Sequence, residues 1–416
     1  MVICIVGLGY VGLPLSLAFS EKKIKVIGYD SSLKRVRELN NSNDINGEFS
    51  KEELSSLRNI VFTNNSSEII KANIYIITVP TPINKNKNPN LKPLLKASKI
   101  VGKNLSLNNI VIYESTVYPG CTEEECVPVL ELNSGMTFNK DFFCGYSPER
   151  INPGDKLRSL KDIVKVTSGS NSEIALKIDN LYKKIIEAGT HLAPSIKVAE
   201  ASKIIENVQR DVNISLMNEL AIIFNKIGVD TTDVLKASST KWNFLNFKPG
   251  LVGGHCIGVD PYYLAYKAKQ VGYTPNVILS GRKVNNKMGQ HIAGNIKNLI
   301  RKKNKNPENC NALILGVTFK ENCSDIRNSR VFNLHKSLRK LKIKVDLFDP
   351  HAINEEVTKN YKLKLINKIE NKYDVIILAV AHDEFLKMNF NNFKKIDGII
   401  YDVKSVLAKD LITERL

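Results

Sequence analysis

Val2-Ile3-Cys4-Ile5-Val6-Gly7-Leu8-Gly9-Tyr10-Val11-Gly12 lies at the head of the chain, and its reading decides the fold. Five uncharged, mostly branched residues predict a buried strand over Val2–Val6. Glycines at Gly7, Gly9 and Gly12 then make a turn, and Val11–Ser20 has the composition of a helix. G-x-G-x-x-G between a strand and a helix is the pattern of a dinucleotide-binding turn. Gly7 permits the tight bend, Gly9 lets the backbone approach a pyrophosphate, and Gly12 lets helix and strand pack closely. The helix N-terminus then meets the phosphate charge. A second strand is predicted over Lys25–Asp30, and its closing Asp30 would accept hydrogen bonds from the adenosine ribose while repelling a 2′-phosphate. That chemistry predicts NAD in preference to NADP.

The same opening carries no charged side chain before Glu21. It has no basic leading segment, however, and its glycines and Pro14 suit neither a signal peptide nor a membrane span. Outward from it the pattern repeats. Helix is predicted over Ser32–Asn40, and strands over Ile74–Val79 and Ile110–Glu114. From Ser195 to Gly228 a long helix is predicted, because Val198, Ala201, Ile205, Val208, Val212, Leu216, Leu220 and Ile223 recur at steps of three and four. A glycine-rich loop occupies Pro249–Gly258, and the basic, Asn-rich stretch Arg301–Asn309 reads as a linker. Beyond it come strands at Ala312–Gly316, Lys344–Asp349, Val375–Val380 and Ile399–Val403, with a helix at Arg330–Leu341. Alternating strands and helices imply doubly wound parallel sheets. The expected architecture is α/β: two Rossmann-like domains, residues 1–194 and 301–416, joined by a helical central domain, residues 195–300, that holds the long helix.

The chain has 416 residues and a net charge of +18, with 43% hydrophobic and 25% charged residues. Nucleic acid is not the expected partner, because the lysines are scattered and do not cluster beside stacking aromatics. An anionic small substrate suits the charge equally well. Seven cysteines form no pair with zinc spacing, so no metal is expected and a reducing cytoplasmic setting fits.

Gly253-Gly254-His255-Cys256-Ile257-Gly258-Val259-Asp260-Pro261 is the richest stretch for chemistry. Flanking glycines let a ligand reach Cys256, and Asp260 stands four residues on. A buried structural cysteine is the alternative. On the long helix Lys203, Asn207 and Arg210 fall at i, i+4 and i+7, either a solvated face or an ammonium and an amide aimed at an oxyanion. Val79-Pro80-Thr81-Pro82 and Glu114-Ser115-Thr116-Val117-Tyr118-Pro119-Gly120 leave strands at the edge where such sheets bind ligands, and Tyr146-Ser147-Pro148-Glu149-Arg150 adds a carboxylate and an arginine.

Taken in order, GLGYVG, VPTP, ESTVYPG, YSPERINPGD, EASKIIENVQRD, GGHCIGVDP and GVTFKENCSDIRNS resemble the UDP-glucose/GDP-mannose dehydrogenase family over nearly the whole chain. The resemblance implies a four-electron, NAD-dependent oxidation of a UDP-sugar C6 alcohol to the uronic acid. Cys256 would be the nucleophile, forming a thiohemiacetal and then a thioester. Lys203 and Asn207 would stabilise oxyanions, Asp260 would assist proton transfer, Glu149 would assist thioester hydrolysis, and Thr116 would lie near the reacting carbon. Cofactor contacts carry over to Gly7, Gly9, Tyr10, Val11, Gly12, Asp30, Arg35, Thr81, Thr116 and Arg327. Substrate contacts carry over to Arg150, Ile151, Lys203, Asn207, Arg210, Gly253, Phe319 and Lys320. His255 before the cysteine and the run SKWNFLNFKPGLVGGHC resemble the branch oxidising UDP-N-acetylhexosamines for capsule or O-antigen, UDP-N-acetylglucosamine first. UDP-glucose and UDP-N-acetylmannosamine are the alternative substrates, and a homodimer through the long helix is implied. Two other readings remain: a two-electron NAD dehydrogenase with Cys256 structural, and a dinucleotide-sensing protein without turnover.

Overall fold

The run Val2–Val6 forms strand β1, buried from Ile3 onward because a parallel strand covered on both faces must be apolar throughout. It lies at the centre of a six-stranded sheet. Its companions are β2 (Lys25–Tyr29), β3 (Ile60–Thr63), β4 (Ile74–Ile77), β5 (Ile110–Tyr113) and β6 (Phe143–Tyr146), in the order β3-β2-β1-β4-β5-β6. Every pairing is parallel, with Ile3 opposite both Val26 and Ile74. The order reverses between β1 and β4, and the loops after those two strands flank that point. A separate parallel pair, β7 (Lys165–Thr167) and β8 (Thr190–Leu192), follows. The computed structural model describes residues 1–45, 47–151, 159–254 and 257–416.

The chain divides into two compact units. One is Met1–Glu206 with Tyr262–Tyr273, and the other is Asn207–Pro261 with Thr274–Leu416. The first holds the six-stranded sheet, packed through Ile3, Ile5, Ile76 and Ile112 against Leu13, Leu17, Phe19, Ile178 and Tyr182. The second holds a five-stranded parallel sheet, order β10-β9-β11-β12-β13: β9 (Asn311–Leu315), β10 (Lys344–Phe348), β11 (Tyr373–Leu378), β12 (Lys394–Asp402) and β13 (Glu414–Arg415). One face of it packs on Ile292, Ile296, Leu334 and Leu338, and the other on Ile369, Phe385 and Phe390. The α/β class with two doubly wound parallel sheets and a long helix is therefore present.

Several local expectations shift. Helix Asn276–Lys302 takes in Arg301 and Lys302, because Asn304, at φ +56°, only ends the helical run beyond them. Strand β12 starts at Lys394, ahead of Ile399, with exposed Ile396 and Asp397 at its rim. Strands β3, β6, β7 and β8 carry too few apolar residues in a row to be seen in sequence.

The long helix runs Ile196–Ile227, within a residue of its expected ends. Only Val208 of the expected apolar stripe is buried, and the inward side mixes apolar Ile204, Met217 and Ala221 with polar side chains. Val198, Ile205, Leu216 and Ile223 of the apolar stripe are exposed, while Glu200, Lys203, Asn207, Asp211 and Asn218 are buried. In a soluble helix the buried face is ordinarily the apolar one, so this arrangement calls for buried polar partners and for a cover over the exposed stripe.

Candidate active site

In the first unit the glycine turn is shaped by contact distances. Gly7 has φ +100°, a left-handed backbone that glycine adopts without strain. A Cβ on Gly12 would stand 1.8 Å from the Gly7 carbonyl oxygen, whereas one on Gly9 would meet nothing within 4 Å. Gly12 therefore packs helix on strand, and Gly9 leaves the open space that a pyrophosphate requires. The Thr78 hydroxyl, at the end of β4, donates to the Gly7 carbonyl at 2.7 Å. Asp30 accepts from the Leu8 N–H at 2.9 Å and from the Ser32 N–H at 2.8 Å, which fixes its carboxylate beside the turn. Tyr10 and Val11 sit half-buried on the turn. These features fit a dinucleotide. Arg35 is buried: its Nε donates to the Leu8 carbonyl at 2.9 Å and its guanidinium pairs with Asp44 at 2.8 Å, so it braces the turn from behind.

The loops after β4 and β5 are tied together. The Thr81 hydroxyl donates to the Thr116 carbonyl at 2.6 Å, the Ser115 hydroxyl to the Val79 carbonyl at 2.6 Å, and the Tyr263 hydroxyl to the Thr81 carbonyl at 2.8 Å. Glu200 on the long helix accepts from the Gly120 and Thr122 N–H groups, holding the far end of the β5 loop. Burial pushes the Glu200 carboxyl up to about 7. Glu149 is buried and accepts through Oε1 from the Arg150 and Ile151 N–H groups. Arg150 pairs with Glu206 at 2.8 Å, and Ile151 is half-buried. Lys203 is buried on the long helix, at 8% exposure.

In the second unit the Asn207 amide donates to Asp260 at 2.6 Å, both side chains being buried. Asp260 opens the helix Asp260–Gln270. Arg210, expected on the same stripe as Lys203 and Asn207, is exposed even though nearly two full turns bring it back to the side of Lys203. Gly253 and Gly254 are hemmed in: a Cβ on the first would lie 2.5 Å from the Asn328 carbonyl oxygen, and on the second 2.9 Å from the Phe319 ring. The loop before Cys256 is thus held against the segment carrying Phe319. His255 and Cys256 lie outside the described residues. Phe319 and Lys320 follow β9 and are half-buried, with the Lys320 ammonium 5.6 Å from the Phe319 ring centre. Arg327 is exposed and pairs with Asp325 at 2.6 Å.

Other side chains of these sites escaped sequence reading. His382, fully buried after β11, takes the Asn322 N–H on Nδ1 at 2.9 Å and faces Asp349 through Nε2 at 3.1 Å. A backbone N–H can only donate, so Nδ1 accepts and the neutral ring carries its proton on Nε2. Asp349 in turn accepts from the Val317 N–H at 2.6 Å. The pair therefore latches both ends of the segment bearing Phe319 and Lys320. In the first unit, Lys165 and Glu114 form a buried ion pair at 2.8 Å. A lone His or Lys gives no periodic signal, and only the apposition of distant strand ends reveals its partner. Among the described residues no group of three or more His, Cys, Asp or Glu side chains is placed to hold a metal, and no helix is long and apolar enough to cross a membrane.

Three parts of the chain match the UDP-glucose/GDP-mannose dehydrogenase family: its NAD binding domain over residues 1–186, its central domain over residues 197–287, and its UDP binding domain over residues 313–409. The chain belongs to that family. It is 53% identical to the UDP-N-acetyl-D-glucosamine 6-dehydrogenase of Salmonella typhi, with 100% of this chain and 98% of that protein covered. It is 51% identical to the enzyme of the same name from Pseudomonas aeruginosa, covering 100% and 99%. Among solved structures, the UDP-D-ManNAc dehydrogenase of Pyrococcus horikoshii superposes with a TM-score of 0.89 at 28% identity, covering 100% of this chain and 98% of that one. The chain is an NAD-dependent oxidoreductase acting on a nucleotide sugar, and the glycine turn of the first unit lies within the stretch that matches the family's NAD binding domain.

Proposed function

We propose that the chain oxidises the C6 alcohol of a UDP-N-acetylhexosamine twice, to the uronic acid, and that UDP-N-acetylglucosamine is its substrate. The observation that carries this is end-to-end similarity, at 53% identity, to an enzyme named for that reaction. The roles are those the family resemblance implies, and each suits the chemistry of its side chain. NAD, when bound, would supply the hydride acceptor for each oxidation. Lys203 supplies a cation and Asn207 an amide to stabilise oxyanions, and Asp260 orients that amide. Cys256 attacks the aldehyde to form a thiohemiacetal, whose oxidation leaves a thioester, and Glu149 activates the water that releases the acid. Thr116 stands near the reacting carbon. Asp30 selects NAD, with Gly7, Gly9, Tyr10, Val11, Gly12, Arg35, Thr81 and Arg327 shaping that site. Arg150, Ile151, Arg210, Gly253, Phe319 and Lys320 serve the UDP-sugar.

The reading includes three functional parts, residues 1–194, 195–300 and 301–416, a homodimer, a cytoplasmic setting, and supply of a uronic acid for capsule or O-antigen. Exposed Val198, Ile205, Leu216 and Ile223 support the dimer.

The test is a panel of UDP-sugars with NAD, read by NADH absorbance. UDP-N-acetylglucosamine should give the highest kcat/KM and two NADH per sugar. One NADH per sugar would leave a two-electron dehydrogenase, and no turnover a sensor. In Cys256→Ala overall turnover should fall at least about a hundredfold while UDP-sugar binding is kept. Uronic acid formation at the wild-type rate would remove the covalent route.

A further inference from the structure

Behind Glu149 stands a buried row of ionisable side chains that the roles above do not use. Lys165, on β7 and 2% exposed, places Nζ 2.8 Å from Glu114 Oε2 and 3.6 Å from Glu149 Oε2. Glu114 closes β5, is 1% exposed, and takes the Tyr182 hydroxyl on its other oxygen. The Lys165 ammonium also lies 5.2 Å from the Tyr182 ring centre. Glu149 is pinned through Oε1 by two backbone N–H groups, yet its buried Oε2 has no hydrogen-bond partner among the described residues.

A salt bridge serving only to join β5 to β7 would need one carboxylate for one ammonium. This row holds two, and a buried group with one positive and two negative charges is short of one proton. Glu149, its side chain 10% exposed against 0% for Glu114, is the end of the row nearer the surface, and Glu114 is its closed end. Burial, reinforced by the neighbouring Glu149 charge and opposed by Lys165, pushes the Glu114 carboxyl up to about 7.

We propose that Lys165 is a positioning residue that aims Glu149 at the hydrolytic water, and that Glu114 is the final acceptor of the proton so released. The inference rests on the thioester reading above. Water attacks the thioester carbonyl carbon and its proton goes to Glu149 Oε2. Lys165 hands one ammonium proton to Glu114 Oε2 and takes the Glu149 proton in its place. The row then holds one more proton, Glu149 is again a carboxylate, and collapse of the tetrahedral adduct breaks the carbon–sulfur bond to give acid and thiolate.

Pre-steady-state NADH release separates the steps. Mixed with UDP-sugar and NAD, Lys165→Met and Glu114→Gln should each release two NADH per site in a burst. Steady turnover should then fall about a hundredfold in Lys165→Met and at least about tenfold in Glu114→Gln, general-base assistance being of that order. Lys165→Arg keeps the charge that aims Glu149 but cannot hand on a proton, so its burst should stay while its steady rate remains low. The wild-type acid-release rate should rise with pH through about 7, as Glu114 becomes able to accept a proton, and Glu114→Gln should lose that rise. Wild-type steady rates in both Lys165→Met and Glu114→Gln overturn the inference. So does loss of the burst in both Glu114→Gln and Lys165→Arg, which would make the row a scaffold. Glu149→Gln distinguishes failure of the underlying reading: without a burst followed by slow release in that variant, the thioester role of Glu149 falls and takes this inference with it.

Discussion

Asp30 shows how much one carboxylate carries. It accepts two backbone N–H groups, from Leu8 and Ser32, so its place beside the glycine turn is set before any cofactor arrives. In Asp30→Asn the negative charge facing a 2′-phosphate is gone but the shape is kept. The ratio of kcat/KM for NAD over NADP should fall by about tenfold or more, the worth of one charge-assisted contact. An unchanged ratio would place the ribose elsewhere. Asp260 makes a second case. It holds the Asn207 amide at 2.6 Å in a buried setting, where a misaimed donor is costly. Asp260→Asn should lower kcat about a hundredfold with little change in KM for NAD, the scale on which a misplaced oxyanion donor is felt. Steady-state kinetics with both substrates varied decides this.

Turns and loops act as units in which one added atom is felt. In Gly12→Ala the new methyl must share space with the Gly7 carbonyl oxygen at 1.8 Å, so helix Gly12–Glu21 has to move off β1. The expected loss is about 1–3 kcal/mol of stability and at least about tenfold in NAD affinity, read by thermal melting and cofactor titration. Gly9→Ala has room at that point and should melt like the wild type while still weakening NAD, since its cost arises only against the cofactor. The segment after β9 depends on His382 and Asp349 in a comparable way. His382→Ala leaves the Asn322 N–H and Asp349 without that partner, at about 1–3 kcal/mol. KM for the UDP-sugar should rise about tenfold with kcat nearly constant. An unchanged KM would detach Phe319 and Lys320 from substrate binding.

A dimer would cover the exposed apolar stripe of the long helix. Leu216 is 50% and Ile223 46% exposed on a helix whose opposite side buries Asp211 and Asn218. Apolar side chains in that number on one face are costly in water and are covered by a second copy in the proposed dimer. Leu216→Asp with Ile223→Asp should convert the protein to monomers at micromolar concentration in analytical ultracentrifugation, with unchanged helix content by circular dichroism. A wild-type chain that sediments as a fully active monomer would refute the dimer.

Local rules made the fold legible. Strand β1, the turn with its three glycines, Asp30 and the 32-residue helix could be read in place, because glycine sterics and helical periodicity act over a few neighbouring residues. So could Lys203 and Asn207, which share a helix face at i and i+4. What those rules left open is which face of the long helix turns inward, since periodicity finds a stripe but not its cover. They also left open every pairing of distant side chains. Glu114 meets Lys165 across 51 residues, and Asp349 meets His382 across 33. Parallel strands joined by long crossovers bring their ends together only once the sheet is assembled, so these buried partners are products of the tertiary structure alone.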